Sequence, residues 1–255
     1  MRTGSTGKWL TSAKHVLLNS ALYVKQQPRA VASSESMTRI ILGAVQRMLD
    51  EHGGPVLVAL DGPSGAGKST VAAALAAVTR AVVVPTDDFF SAEITAAQWD
   101  ARGAPERARD AIDWRRLRRD ALEPLRAGRA AEWHSFDFAA GERLDGTYAM
   151  SFDVVRRDPA PVIILDGAYS TRPELADLID LSILIEVPAA VRLQRLAARE
   201  APAFFAAWHA RWDAAEAFHF THVRPPATFD LIVDGMSPDA ALVEHDPVGI
   251  NSPAA

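Results

Sequence analysis

Apolar side chains recur along this chain in two rhythms, and the switching between them predicts the fold. Ile40, Ile41, Ala44, Val45, Met48 and Leu49 follow Ser36 and Thr38 at helical spacing and stop at Gly53-Gly54-Pro55. That pattern predicts an amphipathic helix. Residues 56–60 are an unbroken apolar run, Val-Leu-Val-Ala-Leu. Parallel strands covered on both faces read this way. The alanine-rich stretch 70–79 favours helix. Further short apolar runs at 81–84, 161–165, 181–187 and 229–233 make four more strands. Helical patterns occupy 189–200 and 203–220. The segment 93–129 is charged and helical, broken near residues 103–105 and ended by Gly128. Strands alternating with helices predict an α/β fold with a parallel sheet.

Composition narrows the class. The chain has 255 residues, 49% hydrophobic and 23% charged, which are the proportions of an ordinary globular domain. Wholesale disorder, a collagen-like fibre and a membrane bundle are excluded on these grounds. No apolar run approaches the ~20 residues of a membrane-spanning helix. Cysteine is absent, so disulfides, thiolate metal sites and cysteine nucleophiles are excluded, and a reducing compartment fits. The net charge of -5 argues against a general nucleic-acid binder.

The charge is uneven. Residues 1–36 carry Arg2, Lys8, Lys14, Lys25 and Arg29 against one acid, Glu35. A basic, acid-poor, Ser/Thr-rich start is what transit peptides look like. An over-long start, with Met37 the first residue, or a disordered arm is the preferred reading. The domain organisation expected is therefore an extension at 1–36, one domain at 37–235, and a tail at 236–255 with little order.

One motif carries chemistry outright. Gly62-Pro63-Ser64-Gly65-Ala66-Gly67-Lys68-Ser69 fits G-x-x-x-x-G-K-[ST] in full, with Thr70 following, a strand before and a helix after. Glycines let such a loop curl until its backbone N–H groups converge on phosphates. The helix N-terminus adds its positive end. Lys68 is placed for the β- and γ-phosphates and Ser69 for Mg²⁺. A guanine-reading Asn-Lys-x-Asp motif and a Leu-Ser-Gly-Gly-Gln signature are both absent, which favours a kinase over a switch or transporter motor.

Carboxylates follow two of the strands. Asp87 and Asp88 come directly after the second, where ligands of open parallel sheets sit. Asp87 is the candidate base for an attacking hydroxyl; capping of the next helix is the alternative. Asp166 ends the third strand, before Gly167, in the manner of a Mg²⁺-holding Walker-B acid. Arg192, Arg195 and Arg199 share one helix face, either as a lid over the triphosphate or as a solvated face; for Arg195 the two readings weigh equally. The basic run 113–120 reads as a salt-bridged helix face rather than a nucleic-acid surface. Trp133, Phe136 and Phe138 fit an acceptor pocket or a strand with one buried face. His209, His219 and His222 form no zinc pattern and read as structural or surface groups.

Together, residues 62–70, Asp87-Asp88-Phe89-Phe90, Asp113-Trp114, Phe136-Asp137-Phe138, Asp166-Gly167 and 192–200 resemble the uridine kinase / phosphoribulokinase branch of P-loop kinases. The resemblance covers about residues 37–235. It implies a P-loop NTPase fold with five parallel strands in the order 2-3-1-4-5, flanked by helices. It implies that Asp87 activates the acceptor hydroxyl and, with Phe90, lies against the acceptor. Asp113 would bind ribose, Phe136 would pack on the base, and Asp166 would lie near Mg²⁺. Arg192 and Arg199 would act with Lys68 on the phosphates. The family's nucleoside kinases carry a histidine shortly after the aromatic-Asp-Phe, whereas Ala139-Ala140-Gly141 stand here. The expectation is a cytoplasmic kinase using ATP and Mg²⁺ on a small-molecule hydroxyl, without nucleic-acid or membrane partners. The acceptor is a uridine- or cytidine-type nucleoside, or else pantothenate, a sugar phosphate or an antibiotic. A nucleotide-binding regulatory module without turnover is the reading from another class.

Overall fold

The computed structural model describes residues 34–199, 202–235 and 243–244. The expectations for residues 1–33, and for the tail apart from 243–244, fall outside them. The chain opens with α1 (Ser34–Glu51), which starts ahead of the boundary expected at Met37. It buries Met37, Ile41, Ala44 and Val45, a stripe at helical spacing. Then come β1 (Val56–Asp61), α2 (Lys68–Thr79) and β2 (Val82–Pro85). The short helices α3 (Ala96–Ala101), α4 (Ala104–Asp110), α5 (Trp114–Leu117) and α6 (Glu123–Arg126) fill the charged segment, and a π turn joins the last two. A hairpin follows, β3 (Ala131–Phe136) and β4 (Met150–Arg157). The rest is β5 (Val162–Asp166), β6 (Leu181–Glu186), α7 (Ala189–Arg199), α8 (Pro202–Phe218), β7 (Leu231–Asp234) and the two-residue β8 (Val243–Glu244).

The main sheet runs β2-β5-β1-β6-β7-β8. Its first five members are parallel and reproduce the expected order. β8 is added antiparallel at the edge. Because side chains alternate across a strand, the sheet feeds two cores. Leu57, Ala59, Val84, Ile163 and Leu165 face one layer. Val58, Leu60, Ile164, Ile183 and Val233 face the other, against α1 and α2.

Everything from Thr86 to Pro161 is inserted between β2 and β5, and it covers the first layer. Its helical part breaks again at residues 111–113. There Ile112 bridges to Phe90, and the Asp113 carboxylate caps α5 by accepting from Arg116 N at 3.1 Å. The hairpin pairs Trp133 with Val155 and Phe136 with Met150, with a register shift between. β4 has no counterpart in the apolar pattern. Phe152, Asp153, Val154 and Arg156 are all exposed, so no burial imposes alternation on it.

Candidate active site

The P-loop leaves β1 and feeds α2. Gly65 sits at φ +80°, and a Cβ there would lie 2.8 Å from the Arg192 carbonyl oxygen. Only glycine lets the loop take that conformation so close to α7. Buried Lys68 folds back on the loop, donating from Nζ to Gly62 O at 2.8 Å and Pro63 O at 3.3 Å. Ser69 and Thr70 are exposed at the start of α2. Arg192 Nη1 donates to Ser64 O at 2.9 Å. Arg195 Nη1 reaches Gly65 O at 3.3 Å and Ala66 O at 3.2 Å. Both guanidiniums therefore lie on the loop, and Arg195 is held against it rather than turned out to solvent. Arg199 ends the helix, and its side chain is outside the described residues.

Beneath the loop lies a residue the motif reading missed. Asp61, fully buried, accepts from Gly62 N at 2.8 Å, Tyr169 N and Thr171 N at 3.0 Å each, and Thr171 Oγ1 at 2.6 Å. It ties the first turn of the P-loop to the loop after β5. His219 Nε2 is 3.5 Å from its Oδ2. Burial opposes the Asp61 charge, but the His219 imidazole and the Thr171 donors outweigh it and hold the carboxyl below the usual range. An acid closing an otherwise unbroken apolar strand was the available signal. His219 is thus a buried structural group.

Sheet register brings the two candidate carboxylates together. Asp166 pairs with Leu60 on one side and Pro85 on the other. The end of β5 therefore lies between the P-loop and the turn that carries Asp87. Asp166 is buried, lies near enough to the Ser69 hydroxyl for it to favour the carboxylate, and leaves Oδ1 without a protein partner. Burial raises its pKa, against the pull of Ser69 and Lys68. Asp87 is exposed to solvent in the turn that follows β2. Loss of water raises its pKa too; Lys68 opposes the shift, and Asp166 and Asp88 add to it. A hydroxyl and a carboxylate with a spare buried oxygen suit a hard cation such as Mg²⁺, which takes few protein ligands. Among the described residues no cluster of three acidic or histidine groups forms a dedicated metal cage. Asp88 points elsewhere and accepts from Trp133 Nε1 at 2.8 Å, anchoring the hairpin.

Three residues after Asp87, around Phe90, the insertion and α8 together build an aromatic wall. Phe90 lies 5.3 Å from Phe136, 5.8 Å from Trp99 and 5.0 Å from Trp212, centroid to centroid. Trp133 and Phe136 are buried and Phe138 is exposed, so the segment is a strand with one buried face. Phe90 and Asp113 share a cleft of about 430 Å³ with Arg116, Trp133 and His134. Asp87 is not among the walls of that cleft. Trp99 and Trp212, on α3 and α8, were not foreseen as members. The basic run is salt-bridged. Arg118 pairs with Asp177 at 2.6 Å and Glu123 at 2.8 Å, and Arg119 with Asp120 at 2.6 Å. Arg116 is spent on the carbonyls of Asp88 and His134, both at 2.7 Å.

Comparison with known proteins agrees with the fold. The family model described as AAA domain matches residues 57–220, well over half of the chain. No curated protein matches significantly. Among solved structures, a possible uridine kinase from Bacillus stearothermophilus is 17% identical with a TM-score of 0.56. That match covers 76% of this chain and 96% of the other. A protein provisionally assigned as a fructose transport system kinase, from Silicibacter sp. TM1040, is 27% identical with a TM-score of 0.55, covering 76% and 97%. The fold is that of P-loop kinases. No helix among the described residues is long and apolar enough to cross a membrane.

Proposed function

For a chain that belongs to the AAA domain family, we propose ATP-dependent transfer of the terminal phosphoryl group to the hydroxyl of a small molecule. One observation carries this reading. The P-loop lysine, the Ser69–Asp166 pair and Asp87 converge at the ends of three adjacent strands. A switch or motor needs the first two, and a kinase also needs a base facing the phosphates.

The residues divide the work as follows. Lys68 and the loop N–H groups hold the phosphates, and Lys68 leaves the Gly62 and Pro63 carbonyls to do so. Ser69 and Asp166 would hold Mg²⁺, which when bound supplies positive charge to the phosphate oxygens. Asp87 orients the acceptor hydroxyl and takes its proton. Its raised pKa makes it a better proton acceptor than an ordinary aspartate once ionised. Arg192 and Arg195 are placed to move from the loop carbonyls onto the phosphates, as forked donors do. The cleft of about 380 Å³ beside Pro63, lined by Glu186, Val187, Phe220 and Asp234, is the proposed seat of the donor's base.

The aromatic wall and Asp113 suit an acceptor with a flat face and hydroxyls, such as a uridine- or cytidine-type nucleoside. Ala139-Ala140-Gly141 offers no side-chain donor or acceptor to read a pyrimidine, which favours a second reading, a sugar or another alcohol. The test is ADP release with ATP and Mg²⁺ against a panel of nucleosides, sugars and other alcohols. One acceptor class is expected to stimulate release. Asp87→Asn is expected to cut turnover by about 10²–10⁴-fold with ATP binding within about twofold. ATP binding with no stimulation by any acceptor would move the chain to the regulatory class, and full turnover in Asp87→Asn would remove Asp87 as the base.

A further inference from the structure

The P-loop cradle already holds an anion, and it belongs to the protein. Glu216, on α8, is buried. Its Oε2 accepts from Ser64 N at 2.9 Å, and its Oε1 accepts a short hydrogen bond from Ser64 Oγ. Backbone N–H groups of such a loop serve to bind phosphate oxygens. Here one loop amide and its neighbouring hydroxyl are taken by a carboxylate that comes from 152 residues away.

The position of that carboxylate matters as much as its bond. Glu216 is close enough to Asp87 and to Tyr169 for its charge to act on both. Its two hydrogen bonds seat it directly on the P-loop at Ser64, the residue whose carbonyl Arg192 engages. Tyr169 belongs to the loop that Asp61 ties to the first turn of the P-loop. It is a non-glycine residue held at φ +66°, and its hydroxyl is buried without a partner. Strained backbone of this kind concentrates at functional sites.

We propose that Glu216 determines which nucleotide the cradle accepts, by competing with the terminal phosphate for the two donors of Ser64. The inference rests on the kinase reading above. A diphosphate fills the inner part of the loop and leaves Glu216 in place. A triphosphate brings its terminal oxygens against a carboxylate in a site with little water, where like charges repel strongly. Glu216 must then leave Ser64. Arg192, which donates to the carbonyl of the same residue, is positioned to follow the phosphate as the carboxylate withdraws. Empty or diphosphate-bound protein stays latched between loop and α8, and the triphosphate opens it.

The experiment measures Kd for ATP and for ADP, with Mg²⁺ and without acceptor, by calorimetry on the full chain. Glu216→Gln keeps the shape and one oxygen acceptor but removes the charge. ATP is expected to bind about tenfold tighter and ADP to move less than about twofold. Glu216→Asp keeps the charge on a shorter arm and is expected to fall between, with thermal melting to establish that each variant is folded. Parallel changes for ATP and ADP, or weaker ATP binding, would overturn the proposal and make Glu216 a support for the loop. If neither nucleotide binds the wild-type protein, the kinase reading falls and takes this one with it.

Discussion

The two ends of the proposed site are built on different principles. At the nucleotide end, recognition rests on backbone: the curl of residues 62–68, the amides it gathers, and Asp61 beneath them. Its requirements are local, and one octapeptide states nearly all of them. At the acceptor end, recognition rests on side chains delivered from scattered elements. Phe90 follows β2, Trp99 comes from α3, Phe136 from β3 and Trp212 from α8. A phosphate presents the same oxygens in every nucleotide, so a fixed loop can serve it. An acceptor is defined by its shape, which a wall of packed rings can vary one residue at a time.

If the two ends are separately built, each should break without the other. The largest expected effect is on the acceptor side. Trp99 is fully buried between Phe90 and Trp212. Trp99→Ala should destabilise the protein by about 3–5 kcal/mol, as loss of a large core aromatic does. Urea unfolding measures it. Acceptor KM should rise while ATP Kd stays within about twofold. An equal loss of ATP binding would show that the wall also props the P-loop, and the comparison would fail.

The converse substitution is Gly65→Ala. The added methyl meets the Arg192 carbonyl at a backbone conformation that alanine rarely adopts. Strain of this kind is worth about 1–3 kcal/mol, so ATP affinity should drop by roughly 10–100-fold. Emission from the tryptophans of the aromatic wall should stay as in the wild type. Unchanged ATP affinity would mean that loop and α7 separate before nucleotide binds.

The same division explains what could be read along the chain. The inner parallel strands β1, β5 and β6 were legible because burial on both faces leaves an unbroken apolar run, and β2 and β7 keep the run with one face half-buried. The cradle was legible because its glycines and lysine are contiguous. The placing of Asp87 and Asp166 at strand ends followed from the strand pattern, and the rule that ligands meet such ends made them candidates. β4 was not legible, because its outward residues are exposed and carry no period. Asp61 stood one residue outside the motif. Glu216 and His219 sit on the stretch that reads only as helix, and what matters about them is the partner they meet across the fold. Arg195 could not be separated from a solvated face, because helix periodicity gives the face and not what lies opposite it.

The smallest effect tests whether the carboxylates are held for structure or for chemistry. Asp61 is stabilised as an anion by its donors, so its contribution is present above the ordinary aspartate range and is lost as pH falls through its depressed pKa. Asp166 runs the other way. Its raised pKa means the folded protein binds the proton more tightly than the unfolded chain does, so stability falls as pH rises from the ordinary aspartate range to the folded value. At about pH 7 Asp166 is therefore a burden on the fold, tolerated for what its free oxygen can hold. Asp166→Asn should raise the melting temperature at about pH 7 without Mg²⁺, flatten the stability profile just above the ordinary aspartate range, and abolish turnover. A lowered melting temperature in the variant would place Asp166 with Asp61, as a strut of the loop rather than part of the working face.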